Sequence, residues 1–253
     1  MPAAILARLA FVEARRGGMV WLALAAIALG IALGGFLAQV AVTESRMVQA
    51  AVVAALLRVC AVFLIAGQVV ASVRREIDDR RLEMSLSLPL SRSTQYLGRL
   101  AGFALCATVL AALFAAPLLL WAPPVAVLAW ALSLAGELVL VAAAALFFAM
   151  TIAQLVPALA ATAGLYLLGR SVSAMQAIAG GPLTEESWLN LIARHALEAV
   201  GLLLPALDRV TRTEWLLYGL PDARTYAAVL GSLALYAALL TAAGVFDFQR
   251  RNA

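Results

Sequence analysis

Two charged residues lie deep inside long apolar stretches, where burying a charge is energetically costly. Arg58 falls in the stretch at 48–73 and Glu137 in the stretch at 125–151. Both depths are counted from the outer end of each stretch. Arg58 is 58 − 47 = 11 residues from that end and Glu137 is 137 − 125 = 12, which places both side chains about 17 Å deep in the membrane. We expect the two side chains to pair or to share a polar cavity, since a charge rarely faces lipid alone. The pair would either fix the packing of the two helices or take part in gating and substrate movement, and both interpretations stay open.

The densest charged run of the chain, residues 74–99, holds six of its 18 arginines. Within it Leu82 and Leu86 are four residues apart, so a helix there carries an apolar surface suited to a groove of another protein. Pro89 ends that helix, and Ser91 can cap the helix that follows. A basic turn that only fixes membrane orientation is the alternative interpretation.

Other chemistry has little support in the residue types. His195 is the single histidine, and Cys60 and Cys106 lie in apolar stretches, so neither a metal site nor a disulfide is predicted. The chain has no lysine and therefore no phosphate-binding loop of the GxxxxGK[ST] type. No catalytic residue, cofactor-binding residue or metal ligand is predicted.

The composition predicts an all-α, polytopic membrane protein. Hydrophobic residues make up 65% and charged residues 13% of the chain, and the mean hydropathy is +0.99, which a soluble domain cannot sustain. About 20 apolar residues cross a bilayer. The whole chain, 1–253, is predicted to be one domain with six spans, at about 19–41, 48–73, 100–121, 125–151, 156–178 and 224–246.

Arginine counting predicts that both termini lie on the cytoplasmic side. That side then holds 3 + 6 + 2 = 11 arginines, against five on the other side. Residues 3–16 predict an amphipathic interfacial helix before the first span, with apolar Ile5, Leu6, Leu9 and Val12 beside Arg8, Arg15 and Arg16. The long connection after the fifth span is predicted to begin an extracytoplasmic amphipathic helix at Thr184. Trp188 and Trp215 suit an interfacial belt.

The opening sequence LARLAFVEARRGGMVWL and the run REIDDRRLEMSLSLPLSRSTQYLGRL resemble the permeases of the ABC-2 transporter superfamily. The Arg-Glu pair, the leucine-bearing helix, the Pro-x-Ser-Arg step and the Tyr96–Arg99 start of span three resemble that family's first cytoplasmic loop. Asp79, Arg80 and Arg81 depart from the Gly-Thr often found there. The resemblance implies a coupling helix that docks on a separate ATP-binding subunit. The residues it assigns to that contact are Arg75, Glu76, Leu82, Glu83, Leu86, Pro89, Ser91 and Arg92.

The resemblance further implies a permease subunit of an ATP-driven exporter in the bacterial inner membrane. ATP would be bound by the partner ATPase. A second permease subunit, preferably an identical copy, would complete the assembly. The other expected partners are membrane lipids, and no nucleic acid is expected. Small members include the permeases of nitrous oxide reductase maturation. Two other classes stay open: a membrane-embedded enzyme, which should gather convergent polar groups, and an ATP-independent membrane scaffold. Glu185 and Glu186 resemble a diacidic protease motif, but Asn190 stands where that motif needs a basic residue.

Overall fold

The computed structural model describes residues 18–40, 45–79, 91–179 and 204–250, together with positions 188, 192, 195–197, 199 and 201. All regular structure in these residues is helical. Within these described ranges six helices are long and apolar enough to cross a membrane, in agreement with the six predicted spans. The predicted helices at 3–16 and 82–88, and most of the one that begins at Thr184, lie outside the described residues. The six helices are α1 (Met19–Val40), α2 (Ser45–Asp78), α3 (Arg92–Ala115), α4 (Pro124–Thr151), α5 (Leu155–Ala179) and α6 (Ala223–Arg250).

Two ends of the bundle can be distinguished by the contacts between helix termini. We call the end where α2 finishes and α3 begins the loop face; there Arg92 donates a hydrogen bond to the carbonyl oxygen of Gln249, near the end of α6. We call the opposite end the far face; there Tyr226 of α6 donates to the carbonyl oxygen of Ala129 in α4, over 2.7 Å. Each helix therefore runs antiparallel to the one before it.

Helix α4 is the centre of the bundle and packs against α2, α3, α5 and α6. Its middle carries four consecutive buried alanines, 142–145. Small side chains let neighbouring backbones approach closely, which is the main source of helix association where lipid is as apolar as the side chains. The alanine run therefore explains why four helices can gather around this one.

Helices α2 and α3 extend beyond the bounds predicted for their membrane spans at the loop face. α2 continues to Asp78 rather than ending near 73, and α3 begins at Arg92 rather than near 100. Polar side chains in these extra turns bond within the bundle: Arg99 forms an ion pair with Glu76 over 3.0 Å. The predicted cap is confirmed, because the Ser91 hydroxyl accepts a hydrogen bond from the Thr94 amide. A span predicted from apolar length ends at the first charged residue, whereas both helices include charged residues at the loop face.

Two glycines of α1 bring this helix onto the rest of the bundle. A Cβ on Gly30 would lie 3.3 Å from Val53 of α2, and one on Gly34 would lie 2.7 Å from the ring of Trp121. Around Gly35, by contrast, a Cβ would meet nothing within 4 Å. The Gly30–Gly34 spacing thus serves packing inside the chain.

A matched pair of substitutions tests this packing. Gly34→Val should lower the melting temperature in detergent by several degrees, because overpacking typically costs about 1–3 kcal/mol. Gly35→Val adds the same side chain to the neighbouring position and should change the melting temperature little. Equal effects of the two substitutions would contradict this packing of α1.

Candidate functional site

Glu137 is the most completely enclosed charge among the described residues. It lies on α4 with 0% of its surface exposed. Its Oε1 forms an ion pair with Arg170 over 3.3 Å and accepts a hydrogen bond from the Tyr166 hydroxyl over 3.0 Å. Its Oε2 accepts a hydrogen bond from the Thr211 hydroxyl over 2.5 Å. Both carboxylate oxygens are therefore bonded by protein groups, as a buried carboxylate requires.

Thr211 reaches this carboxylate although it belongs to the connection between α5 and α6. Its backbone amide donates to the Ser133 hydroxyl over 2.8 Å, and its carbonyl oxygen accepts from Arg58 over 2.7 Å. Its φ angle is +50°, a backbone region that β-branched residues seldom adopt. Four hydrogen bonds to side chains of two helices, α2 and α4, hold Thr211 in this conformation.

Two arginines hold the backbone around Thr211. Arg58 donates to the Thr211 carbonyl, and Arg170 donates to the carbonyl oxygens of Leu207 over 2.7 Å and Val210 over 3.3 Å. The Leu207 carbonyl also accepts a hydrogen bond from the Val210 amide in the short 3₁₀ turn Leu207–Arg209, whereas the carbonyls of Val210 and Thr211 lie beyond that turn, outside any helix whose amides could donate to them. The guanidinium groups replace the hydrogen bonds that regular structure would have supplied.

We call residues 204–217 the inserted segment, because they enter the bundle from the far face. The single helical turn Glu214–Leu217 packs against both α2 and α4, and the Leu207–Arg209 turn packs against α5. Thr211 meets α4 at Glu137, 137 − 124 = 13 residues from the first residue of that helix, or about 20 Å along it. Irregular backbone is tolerated at membrane depth only where protein or a water-filled cavity surrounds it.

We call the side chains that hold the inserted segment the polar cluster. They come from α2, α4 and α5 and from the segment itself. Its members are Arg58, Ser133, Glu137, Tyr166, Arg170 and Thr211.

The structure brings Arg58 and Glu137 into this one cluster, but their contact runs through Thr211. Glu137 forms its ion pair with Arg170, while Arg58 bonds to the Thr211 carbonyl. Sequence reasoning missed Tyr166, Arg170 and Thr211 as members. Tyr166 and Arg170 are four residues apart on α5 and therefore share a helix face, a spacing that could have identified them. Thr211 offered no such signal, because its position depends on the path of a long connection.

Arg74 organises the loop face. Its guanidinium donates to the carbonyl oxygens of Ala149, Ile152 and Ala153, where α4 ends and α5 is about to begin. The last carbonyls of a helix have no partner within the helix, and a cation there also interacts favourably with the helix dipole. Arg74 is buried. It thus fixes α2 to the connection between α4 and α5.

The predicted coupling residues fall into two groups. Arg75 is exposed at the end of α2, while Glu76 pairs with Arg99 and Arg92 bonds to Gln249. With Ser91 at the start of α3, these residues form the base from which the intervening loop extends. Leu82, Glu83, Leu86 and Pro89 lie outside the described residues.

The two tryptophans predicted to form an interfacial belt differ in their surroundings. Trp188 is 69% exposed, whereas Trp215 is 6% exposed and packs edge-on against the ring of Tyr226. The prediction is wrong for Trp215, which is buried because it lies in the inserted segment.

The geometry defines an α-helical, multi-pass membrane protein with a connection inserted into its bundle. In the part of the chain that the structure describes, no three His, Cys, Asp or Glu side chains gather as metal ligands. No protein-family model matches the chain, and no curated protein matches it.

A double-mutant cycle separates the two arginines around Glu137. Glu137→Gln combined with Arg170→Gln should show a coupling energy of about 1–3 kcal/mol in SDS-induced unfolding, because the two groups are in direct contact. Glu137→Gln combined with Arg58→Gln should show a smaller coupling, since Thr211 lies between them. The exposed pair Arg212 and Glu214, 3.7 Å apart, is the control and should couple by less than about 0.5 kcal/mol. A larger coupling for Arg58 than for Arg170 would refute this arrangement.

A second matched pair of substitutions tests whether the inserted segment packs against α5. A Cβ on Gly169 would lie 2.9 Å from the Pro205 carbonyl oxygen, whereas one on Gly164 would meet nothing within 4 Å. Gly169→Ala should therefore displace the segment and lower the melting temperature, while Gly164→Ala should preserve or raise it. The opposite ranking would show that residues 204–211 do not pack on this face of α5.

Proposed function

We propose that this chain is the permease subunit of an ATP-binding-cassette exporter of the ABC-2 type. Its six apolar helices supply a membrane domain, and the residues that resemble that family flank one loop at one face. ATP would be hydrolysed by a separate subunit, and substrate would move outward from the cytoplasm or the inner leaflet. This chain would have no ATPase site of its own.

The observation that carries the proposal is the rigid base of the arginine-rich loop. On one side Arg74 bonds to the connection between α4 and α5, and on the other Arg92 bonds to α6. The Glu76–Arg99 ion pair joins the two sides. A force applied to the loop would therefore reach four of the six helices directly, as an ATPase-driven permease requires. A loop that served only as an orientation signal would need none of these contacts.

The arginine distribution supports a placement of the loop face in the cytoplasm of a bacterial cell, with both termini on that side of the inner membrane. The inserted segment would then open toward the periplasm. We further propose that two copies of this chain associate with two ATPase subunits.

The proposal is tested by affinity purification of the tagged chain in mild detergent from its native host, followed by an ATPase assay. An ATP-binding subunit should copurify with the chain. Leu82→Asp combined with Leu86→Asp should remove most of that subunit, and Arg92→Glu should weaken its binding. Arg224→Glu reverses an exposed charge at the start of α6, on the far face, and serves as the control, which should retain the ATPase.

If the chain purifies alone and without nucleotide-dependent activity, the permease proposal fails. If an ATPase copurifies equally with all variants, the subunit assignment stands and the loop is not its docking site. Recovery of a hydrolytic activity from the chain alone would favour a membrane-embedded enzyme instead.

A further inference from the structure

We propose that α2 is a lever that links the loop face to the inserted segment, through two arginines that bond to backbone outside α2. Arg74 holds α2 against the connection between α4 and α5. Arg58, on the same helix, holds Thr211. A shift of α2 relative to α4 would break both contacts and favour release of the inserted segment toward the far face.

α2 is one continuous helix from the far face to the loop face. It runs without interruption for 34 residues, Ser45–Asp78, which corresponds to about 51 Å. Arg58 and Arg74 are 74 − 58 = 16 residues apart on it, about 24 Å along the axis. A single helix transmits an axial shift or a rotation from one of these positions to the other.

Arg58 and Arg74 of α2 both bond to backbone carbonyls of other elements. Arg58 bonds to the carbonyl oxygen of Thr211, and Arg74 bonds to those of Ala149, Ile152 and Ala153. None of these acceptors belongs to α2, so each bond fixes α2 against another element. A hydrogen bond of 2.7 Å is lost by about 3.5 Å, so a displacement of roughly 1 Å along the direction of these bonds is enough to weaken both sites.

The loss of Arg58 would destabilise the backbone around Thr211. Its departure would leave the Thr211 carbonyl without that donor about 20 Å from the start of α4, and an unsatisfied carbonyl at membrane depth is costly. Thr211 also has a φ angle of +50°, a conformation that persists only while its surroundings enforce it. The inserted conformation would then lose population to one in which the segment is hydrated.

The experiment measures exposure of the inserted segment with a cysteine reporter in the full chain, reconstituted in nanodiscs. Cys60→Ala and Cys106→Ala provide the background. Val210→Cys provides the reporter, at a position that is buried. The readout is the rate of labelling by a charged, membrane-impermeant maleimide.

Labelling of the reporter should be slow in the background and at least tenfold faster with Arg58→Gln. The decisive variant is Arg74→Gln, which should also accelerate labelling severalfold although Arg74 is about 24 Å away along α2. Arg74→Lys keeps the charge without the planar fork and should give an intermediate rate. Asp78→Asn changes an exposed charge one turn further along the same helix and should leave the rate unchanged.

Two further reporters identify variants that fail to fold. Tyr218→Cys, at an 80% exposed position, should label rapidly in every variant, and Leu134→Cys, at a fully buried position, should stay unlabelled. If Leu134→Cys is labelled in the Arg74→Gln variant, the milder Arg74→Lys variant becomes the deciding comparison. Acceleration by Arg58→Gln alone, with both Arg74 variants at the background rate, would overturn the lever and leave only a local lock.

This inference rests on the proposed function only for the source of the movement, which would be the ATPase subunit. The test uses the chain alone. A linked response therefore stands even if no ATPase copurifies, and its absence leaves the permease proposal untouched.

Discussion

The structure depends on one constraint: within a membrane every backbone polar group must find its partner in the protein. Six continuous helices satisfy most of these groups by themselves. The inserted segment cannot, because its short 3₁₀ turn satisfies only the Leu207 carbonyl, through the Val210 amide, while the carbonyls of Val210 and the left-handed Thr211 lie outside any helix. Arg58 and Arg170 supply the missing donors, so two charges that seem misplaced in apolar helices are required by the backbone beside them.

Glu137 completes this arrangement electrostatically. Two guanidinium groups in a membrane interior would repel each other and carry a large desolvation cost. A carboxylate between them offsets part of that cost, and it also accepts hydrogen bonds from Tyr166 and Thr211. The same pairing occurs at the loop face. There Arg74 donates to backbone carbonyls where α4 ends, and Glu76 forms an ion pair with Arg99. Arginine is suited to both places because its planar fork can donate to several oxygens at once.

The sequence predicted the all-helical class, the six spans and the Ser91 cap, since each follows from apolar length or local capping chemistry. The predicted spans ended before the loop-face ends of α2 and α3, because a rule based on apolar length excludes charged residues. Glu76 and Arg99 are tolerated in these helices since they bond to each other. It identified Arg58 and Glu137 as anomalous, because a charge in an apolar stretch is conspicuous. It could not identify Thr211 or the insertion of residues 204–217, since these depend on tertiary contacts between parts of the chain far apart in sequence.

The central claim, that the inserted segment is held inside the bundle by these contacts, is tested most directly by hydrogen–deuterium exchange of the unmodified chain in nanodiscs. The account predicts that amides at 207–211, including the Thr211 amide that bonds to Ser133, exchange almost as slowly as those in the middle of α4. Residues 218–222, which are mostly exposed beyond the segment, should exchange orders of magnitude faster. Fast exchange across the whole of 204–222 would contradict the account, because it would mean that the segment lies in water.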